Sequence, residues 1–383
     1  MVIKNFVFFF LAPLCLAFGL QLVGDIGTQD SIAYWSAIQA FVAGENPYEP
    51  NILLQYQLTV HPNLTTSQLF LNPPWTIPLL LPLFYWDFAT SSLLLLSSNI
   101  SITFFALRRL SKLGTPIAPR YVVLVGAFFP ILSCWYFGQL SCFLLLGAIL
   151  SLEWIIQSYQ PWWKLAVALL LFSIKPQTPF ILSVALMVTA VRRGSWTDTC
   201  KVALFAVGPV LFLTYHAKLL EWWVSSFVHS AKWATSSLPS LVSTFLSSVN
   251  RPSLLMLPAA LTTAFVLVLE RGLMTPYRFI CYVIISALLA PYAWVFDFSP
   301  FVIITYAVSV VGIQQQPYLL KRRAYIAALV VLCLPFEALL TDNLQAYALH
   351  PLIVVALFWF IRHSINDVFS TSALSTGTFT SMR

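Results

Sequence analysis

The sequence predicts an all-α integral membrane protein of about twelve transmembrane helices. Three observations predict it. Only 9% of the 383 residues are charged and 59% are hydrophobic, whereas a soluble domain carries about 25% charged residues. Apolar runs recur along nearly the whole length, so residues 1–383 read as one polytopic membrane domain with no separate soluble module. The basic residues also segregate to one side of those runs, as the positive-inside rule requires.

Taken in order, the candidate spans are 5–23, 86–107, 121–137, 140–157, 164–174, 177–191, 201–219, 253–270, 279–290, 298–313, 324–340 and 345–362. The first apolar run, Phe6 to Val23, is long for a signal sequence, and Ala17-Phe18-Gly19 is a poor cleavage site. It reads as a retained helix. Segment 24–85 is too long for a turn and holds two amphipathic helices expected to lie in the interface. Between Ser31 and Ala43, Tyr34, Trp35, Ile38, Phe41 and Val42 fall on one helical face. Gly44 and Asn46-Pro47 close that helix, because glycine tolerates the left-handed cap and proline cannot continue. The second is expected from Pro74, favoured in a first turn, to Leu83. Trp35 and Trp75 would then sit at headgroup depth.

Residues 164–191 break into two apolar arms around Lys175-Pro176-Gln177, each too short for a comfortable span. An ammonium at such a break is a functional candidate. Segment 221–252 is a second long outer loop, with Trp222, Trp223, His229, Lys232, Trp233 and Arg251 around a Ser-rich centre. Residues 290–297 form a third outer piece, and 363–383 a cytoplasmic tail.

With both termini cytoplasmic, only Lys175, Lys218, Lys232 and Arg251 of the 20 basic residues fall outside. The net charge of +7 therefore needs no nucleic-acid partner. Acidic residues lean outward, including Asp25, Asp30, Glu45, Glu49, Asp87 and Asp297. Acidic residues carry little topological weight, so function is a candidate cause. The six cysteines lie in or beside apolar runs and imply no disulfide framework. The five histidines have no ligand spacing, so no metal or other cofactor is expected. The outer carboxylates have the donor type for a divalent ion, but nothing demands one. Asn63-Leu64-Thr65 is a glycosylation sequon where the host has that machinery.

The run Asp30-Ser31-Ile32-Ala33-Tyr34-Trp35, continuing to Gly44-Glu45-Asn46-Pro47-Tyr48, resembles the signature of glycosyltransferase family 87. Asn72-Pro73-Pro74, Gly138-Gln139-Leu140, Lys175-Pro176-Gln177 and Ala290-Pro291-Tyr292-Ala293-Trp294 with Asp297 follow in family order. The resemblance spans roughly Met1 to Pro300 and fades beyond. It implies a GT-C-type, polyprenol-phosphate-mannose-dependent α-mannosyltransferase in the plasma (inner) membrane. It further implies a lipid-linked donor as co-substrate, a lipid or glycan acceptor reached from the extracytoplasmic face, and an acidic base in the first outer loop. The chain departs from the family at Tyr292, where members often carry His. A phenol donates a hydrogen bond but does not readily shuttle a proton near pH 7.

The chemistry suits these residue types. Displacement of a polyprenyl phosphate with inversion needs one base for the acceptor hydroxyl and positive charge for the departing phosphate. Asp30 is the first candidate base, over the small side chains of Ala33 and Ala37; its plainer role is to cap the helix. Asp25 is the second, or a solvated residue at the membrane edge. Lys175 is the preferred phosphate contact, against snorkelling to headgroups. His229, Lys232 and Arg251 are secondary contacts, or solvated loop residues. Gln139 and Gln177 would bond sugar hydroxyls or satisfy broken backbone. Asp297 would orient a cation or cap a helix, and Trp294 would stack on substrate or belong to an aromatic belt. Tyr34 and Tyr292 complete the substrate-side set, while Asn46 and Tyr48 shape the turn. Two other readings stay open: a transporter or flippase of lipid-linked sugars, and a non-catalytic membrane scaffold. A transporter should carry polar residues near the midplane in several spans, whereas here they gather at one face, apart from Glu153, Lys175 and His216.

Overall fold

The computed structural model describes residues 11–115, 119–157, 161–193, 197, 199–202, 216–226, 260–266, 274–290, 293–314, 321, 323, 325, 326 and 349–369. These residues are helical with connecting turns, and no strand occurs among them. By length and composition, three helices among them suffice to cross a membrane: Phe88–Leu113, Val295–Gly312 and Leu352–Phe369. Shorter apolar helices include Ala12–Val23, Ser141–Ile156, Trp162–Phe172, Phe180–Arg192 and Pro276–Leu288. The expected spans 201–219, 253–270 and 324–340 lie largely outside the described residues.

Helix α1 (Ala12–Val23) leads through a turn into α2 (Ser31–Val42), α3 (Pro50–Leu58) and α4 (Ile77–Phe84). Helix α2 forms where its spacing places it, but it does not lie half exposed. Tyr34, Trp35 and Ile38 are buried with Ser31 on one side, and Ala33, Ser36, Ala37 and Ala40 are buried on the other. Those small side chains let neighbouring backbone approach closely. Trp35 is accordingly not a headgroup anchor: its indole donates to the Trp86 carbonyl at 2.9 Å and packs edge-on against Phe88. Trp75 donates likewise to the Ser173 carbonyl at 2.9 Å. Helix α3 carries no strong apolar face and escapes the sequence pattern. Pro50 starts it, and buried Gln57 ties it down, donating to Ser36 Oγ at 3.0 Å and to the Gln68 carbonyl at 2.8 Å.

Helix α5 (Phe88–Leu113) is the long strut, about 39 Å from its 26 residues. Asp87 caps it, accepting from the Thr90 amide at 3.0 Å. The single span expected over 121–137 is instead two helices, α6 (Pro119–Gly126) and α7 (Phe129–Phe137). Pro130, in the first turn of α7, has no N–H to bond back into α6, so the rod breaks before it. Helix α8 (Ser141–Ile156) turns back through a short connection into α9 (Trp162–Phe172), and the two pack along their lengths.

Helix α10 (Phe180–Arg192) follows the break at 173–179, then α11 (Ala217–Ser226) and α12 (Pro276–Leu288). The chain then enters the Val295–Gly312 helix, 3₁₀ at its start, α over α13 (Val302–Val308), and buried throughout. Helix α14 (Leu349–Ile361) leads on through a 3₁₀ turn at Arg362–Ser364 to Phe369.

Side chains satisfy the carbonyls that the 173–179 break leaves without helical partners. Ser173 O accepts from Trp75, Ile174 O accepts from Asn72 Nδ2 at 2.8 Å, and Thr178 O accepts from Ser286 Oγ at 2.7 Å. The Asn72-Pro73-Pro74 motif is thus a clamp on the broken helix.

Candidate active site

Three breaks in regular structure converge: the 24–30 turn, the 138–140 turn between α7 and α8, and the 173–179 break. Gly138 caps α7 in the left-handed region (φ +70°), and a Cβ there would overlap the Gly27 carbonyl. The contact is that close because the 24–30 turn is laced onto the end of α7. Gly27 N–H donates to Tyr136 O at 2.8 Å, and Asp30 N–H donates to Phe137 O at 2.7 Å.

This lacing aims the Asp30 side chain. Asp30 stands at the N-cap position of α2, yet its carboxylate caps nothing there. Asp30 Oδ2 instead accepts a hydrogen bond from Gln139 Nε2. Gln139 Oε1 accepts from Tyr34 OH at 2.9 Å and from Lys175 Nζ at 2.8 Å. Two donors on Oε1 fix the amide so that its nitrogen faces Asp30. Lys175 Nζ also donates to Asp297 Oδ1 at 2.9 Å and to Ser141 Oγ at 3.1 Å, over the Phe296 ring at 4.5 Å. Ser141 Oγ donates to Asp297 Oδ1 at 2.5 Å. Asp297 Oδ2 accepts from the Trp294 amide at 3.1 Å, so this carboxylate both orients a cation and caps its helix.

The charges divide unequally. Lys175 and Asp297 pair directly and both are buried. Asp30 has only an amide on Oδ2, and Oδ1 takes no hydrogen-bond partner among the described residues. Burial of the carboxyl pushes the Asp30 pKa above the ordinary aspartate range. The Gln139 bond and the charge of Lys175 pull it back in part, while Asp297 adds to the rise. Burial, then Asp30 and Asp297, hold the Tyr34 phenol well above its usual range, so Tyr34 stays a donor.

Asp30, Tyr34, Gln139, Lys175 and Asp297 therefore form one hydrogen-bonded chain, with Trp294 tied to its end. Gln139 is a strut inside that chain, and Lys175 has all three N–H donors engaged. Gln177 lies half-buried in the same break, its side chain without a hydrogen bond to any described residue. Asp25 does not join; it is exposed, and its carbonyl accepts from Thr28. Asn46 and Tyr48 also stay apart. Asn46 Oδ1 accepts from the Tyr48 amide at 3.0 Å, and buried Tyr48 donates to Asn72 O at 3.0 Å. His229, Lys232, Arg251 and Tyr292 lie outside the described residues.

Sequence reading missed Ser141, Asn99 and Phe296. Asn99 is buried in mid-α5 and donates to the Gln139 carbonyl at 2.9 Å. A lone amide inside a span was its available signal.

The model of glycosyltransferase family 87 matches residues 70–335, well over half of the chain. The chain belongs to glycosyltransferase family 87. It is a membrane glycosyltransferase, acting on a sugar donor and an acceptor. The family 87 match takes in the motifs at Asn72, Gly138, Lys175 and Ala290–Asp297, and leaves out the run from Asp30 to Tyr48. It also continues past Pro300, where the resemblance was expected to fade, and so includes the whole helix that carries Asp297. Asp30 lies before the matched residues, and its partners Gln139, Lys175 and Asp297 lie within them. No curated protein and no solved structure matches the chain.

Proposed function

We propose that this protein transfers a hexose, mannose by family resemblance, from a polyprenyl-phosphate donor to a lipid or glycan acceptor on the extracytoplasmic side. One observation carries the reading: Asp30 is held by Gln139 on one oxygen and left open on the other, with its pKa raised. A carboxylate so placed takes the proton of an acceptor hydroxyl as that oxygen attacks the anomeric carbon and the phosphate leaves with its bonding pair. The product has inverted configuration, and no covalent enzyme intermediate is needed.

Lys175 serves this site as a positioning residue, fixing Gln139 and neutralising Asp297. Its donors are all engaged, so a phosphate would have to displace a partner. His229, Lys232 and Arg251 are the cations we propose for the departing phosphate. Gln177, whose amide bonds no described residue, is proposed for a sugar hydroxyl. The donor lipid is proposed as a co-substrate.

The test uses purified protein in lipid nanodiscs with polyprenyl-phosphate-mannose and an acceptor glycolipid. Mannosylated product is expected from the wild type, and about 10²-fold less or lower still from Asp30→Asn of at least equal thermal stability. Full turnover by Asp30→Asn would remove the base. Movement of donor across the bilayer without transfer would instead show a flippase.

A further inference from the structure

We infer that Asn99 is a positioning residue for transfer: from the middle of α5 it fixes the height of the 138–140 turn, and with it the reach of Gln139 to Asp30. Leu96, Asn99, Ile100 and Thr103 recur at i, i+3, i+4 and i+7, so they share one face of α5. All four are buried. That face is a rail under two turns of the site. Leu96 packs against Gly27, and with Ile100, Ile26 and Trp135 it builds one apolar cluster. Thr103 Oγ1 accepts from the Trp135 indole at 3.3 Å. Between them, Asn99 Nδ2 donates to Gln139 O at 2.9 Å and reaches Cys134 O at 3.5 Å.

Apolar packing is non-directional, so Leu96 and Ile100 alone would tolerate a small slip along α5. A hydrogen bond is directional, and a buried amide in an apolar face selects one register. The Asn99 amide cannot sit the other way round, since its oxygen would then face two carbonyls. As placed, Oδ1 is buried and takes no hydrogen bond from any described residue. Such an oxygen costs stability, and a polar side chain inside a span points to function. Gln139 is thus held at both ends: its backbone by Asn99, and its side-chain oxygen by Tyr34 and Lys175. Its Nε2 then meets Asp30 at one place.

The role of Asn99 rests on Asp30 being the base, yet separate proteins decide the two. Full turnover by Asp30→Asn removes the base, whereas wild-type kcat in Asn99→Leu removes the role of Asn99 alone. Asn99→Leu keeps a branched side chain of similar size and deletes the donor and the unpartnered oxygen together. The full chain in lipid nanodiscs, with polyprenyl-phosphate-mannose and an acceptor glycolipid, should then unfold close to the wild-type temperature. Its kcat should fall about ten-fold, since a misplacement of about 1 Å costs about 10²-fold and the base is still present. The acid limb of kcat/KM should move to higher pH, because the Gln139 bond that lowers the Asp30 pKa is loosened. Lost stability with unchanged turnover per folded molecule, or a fall in kcat with the limb unmoved, overturns the assignment. Where Asn99→Leu does not fold, Asn99→Ala is judged on the same turnover per folded molecule and the same limb.

Discussion

Gly138 abuts the backbone of Gly27 with no room for a Cβ between them, and through that contact the end of α7 holds the turn that carries Asp30. Gly138→Ala meets two penalties, a left-handed φ and a clash with backbone. It is expected to cost about 2 kcal/mol or more of stability and to abolish transfer, because the Gly27 and Asp30 amide bonds cannot both survive the shift. Thermal unfolding and a mannosyl-transfer assay on the same preparation check it. Wild-type behaviour in both would show that the turn is not held this way.

Asp30→Asn should lower kcat by about 10²-fold or more, the usual contribution of a general base. The sign on stability is opposite. Burial raises the folded-state pKa of Asp30, so its ionised form is disfavoured on folding at any pH above that value. That penalty fades as pH falls through the folded pKa. At neutral pH, Asp30→Asn is therefore expected to unfold no earlier than wild type, while the acid limb of wild-type kcat/KM lies above an ordinary aspartate pKa.

Gln139→Glu places a second carboxylate against Asp30 in place of an amide donor. A like charge raises the pKa of its neighbour. The acid limb of the pH–rate profile should move to higher pH, with unfolding changed less than activity. An unmoved limb would mean that the titrating base is not Asp30.

The bundle was legible because composition and hydropathy report burial directly. So was the break at Lys175, since proline and an ammonium interrupt an apolar run. The division of labour inside the site was not legible. Periodicity places Asp30 at a helix start, where a cap is the ordinary role. Only the backbone contact between Gly27 and Gly138, residues far apart in the chain, turns its carboxylate toward Gln139. Lys175 likewise looks like an available cation until Ser141 and Asp297 are seen beside it. The α6–α7 break went unread because Pro130 sits in an otherwise unbroken apolar run, and hydropathy does not register a missing N–H.

A second buried ion cluster supports the opposite end of α8. Glu153 accepts from Lys164 Nζ at 2.7 Å and is paired with Arg109. Lys164 also donates to Gln157 Oε1 at 2.8 Å. Glu153→Gln leaves those cations without their carboxylate and should cost about 3–5 kcal/mol. Turnover per folded molecule should not change, since the cluster lies twelve residues along α8 from Ser141, about 18 Å. Stability and specific activity measured together separate this from a catalytic role.

Lys175 and Asp297 test whether the ammonium is a positioning residue or a phosphate contact. Lys175→Met strands the Asp297 carboxylate in a buried site and should cost about 3–5 kcal/mol, as should Asp297→Leu alone. The double replacement removes both charges, so its stability should exceed the sum of the single losses by about 2 kcal/mol. Its activity should stay low, because Gln139 has lost the donor that fixes its amide toward Asp30. A phosphate contact behaves differently: Lys175→Met would then spare stability, raise the donor KM, and leave the double variant no more stable than additivity allows. The unfolding cycle and the donor KM, taken on the same four proteins, distinguish the two roles.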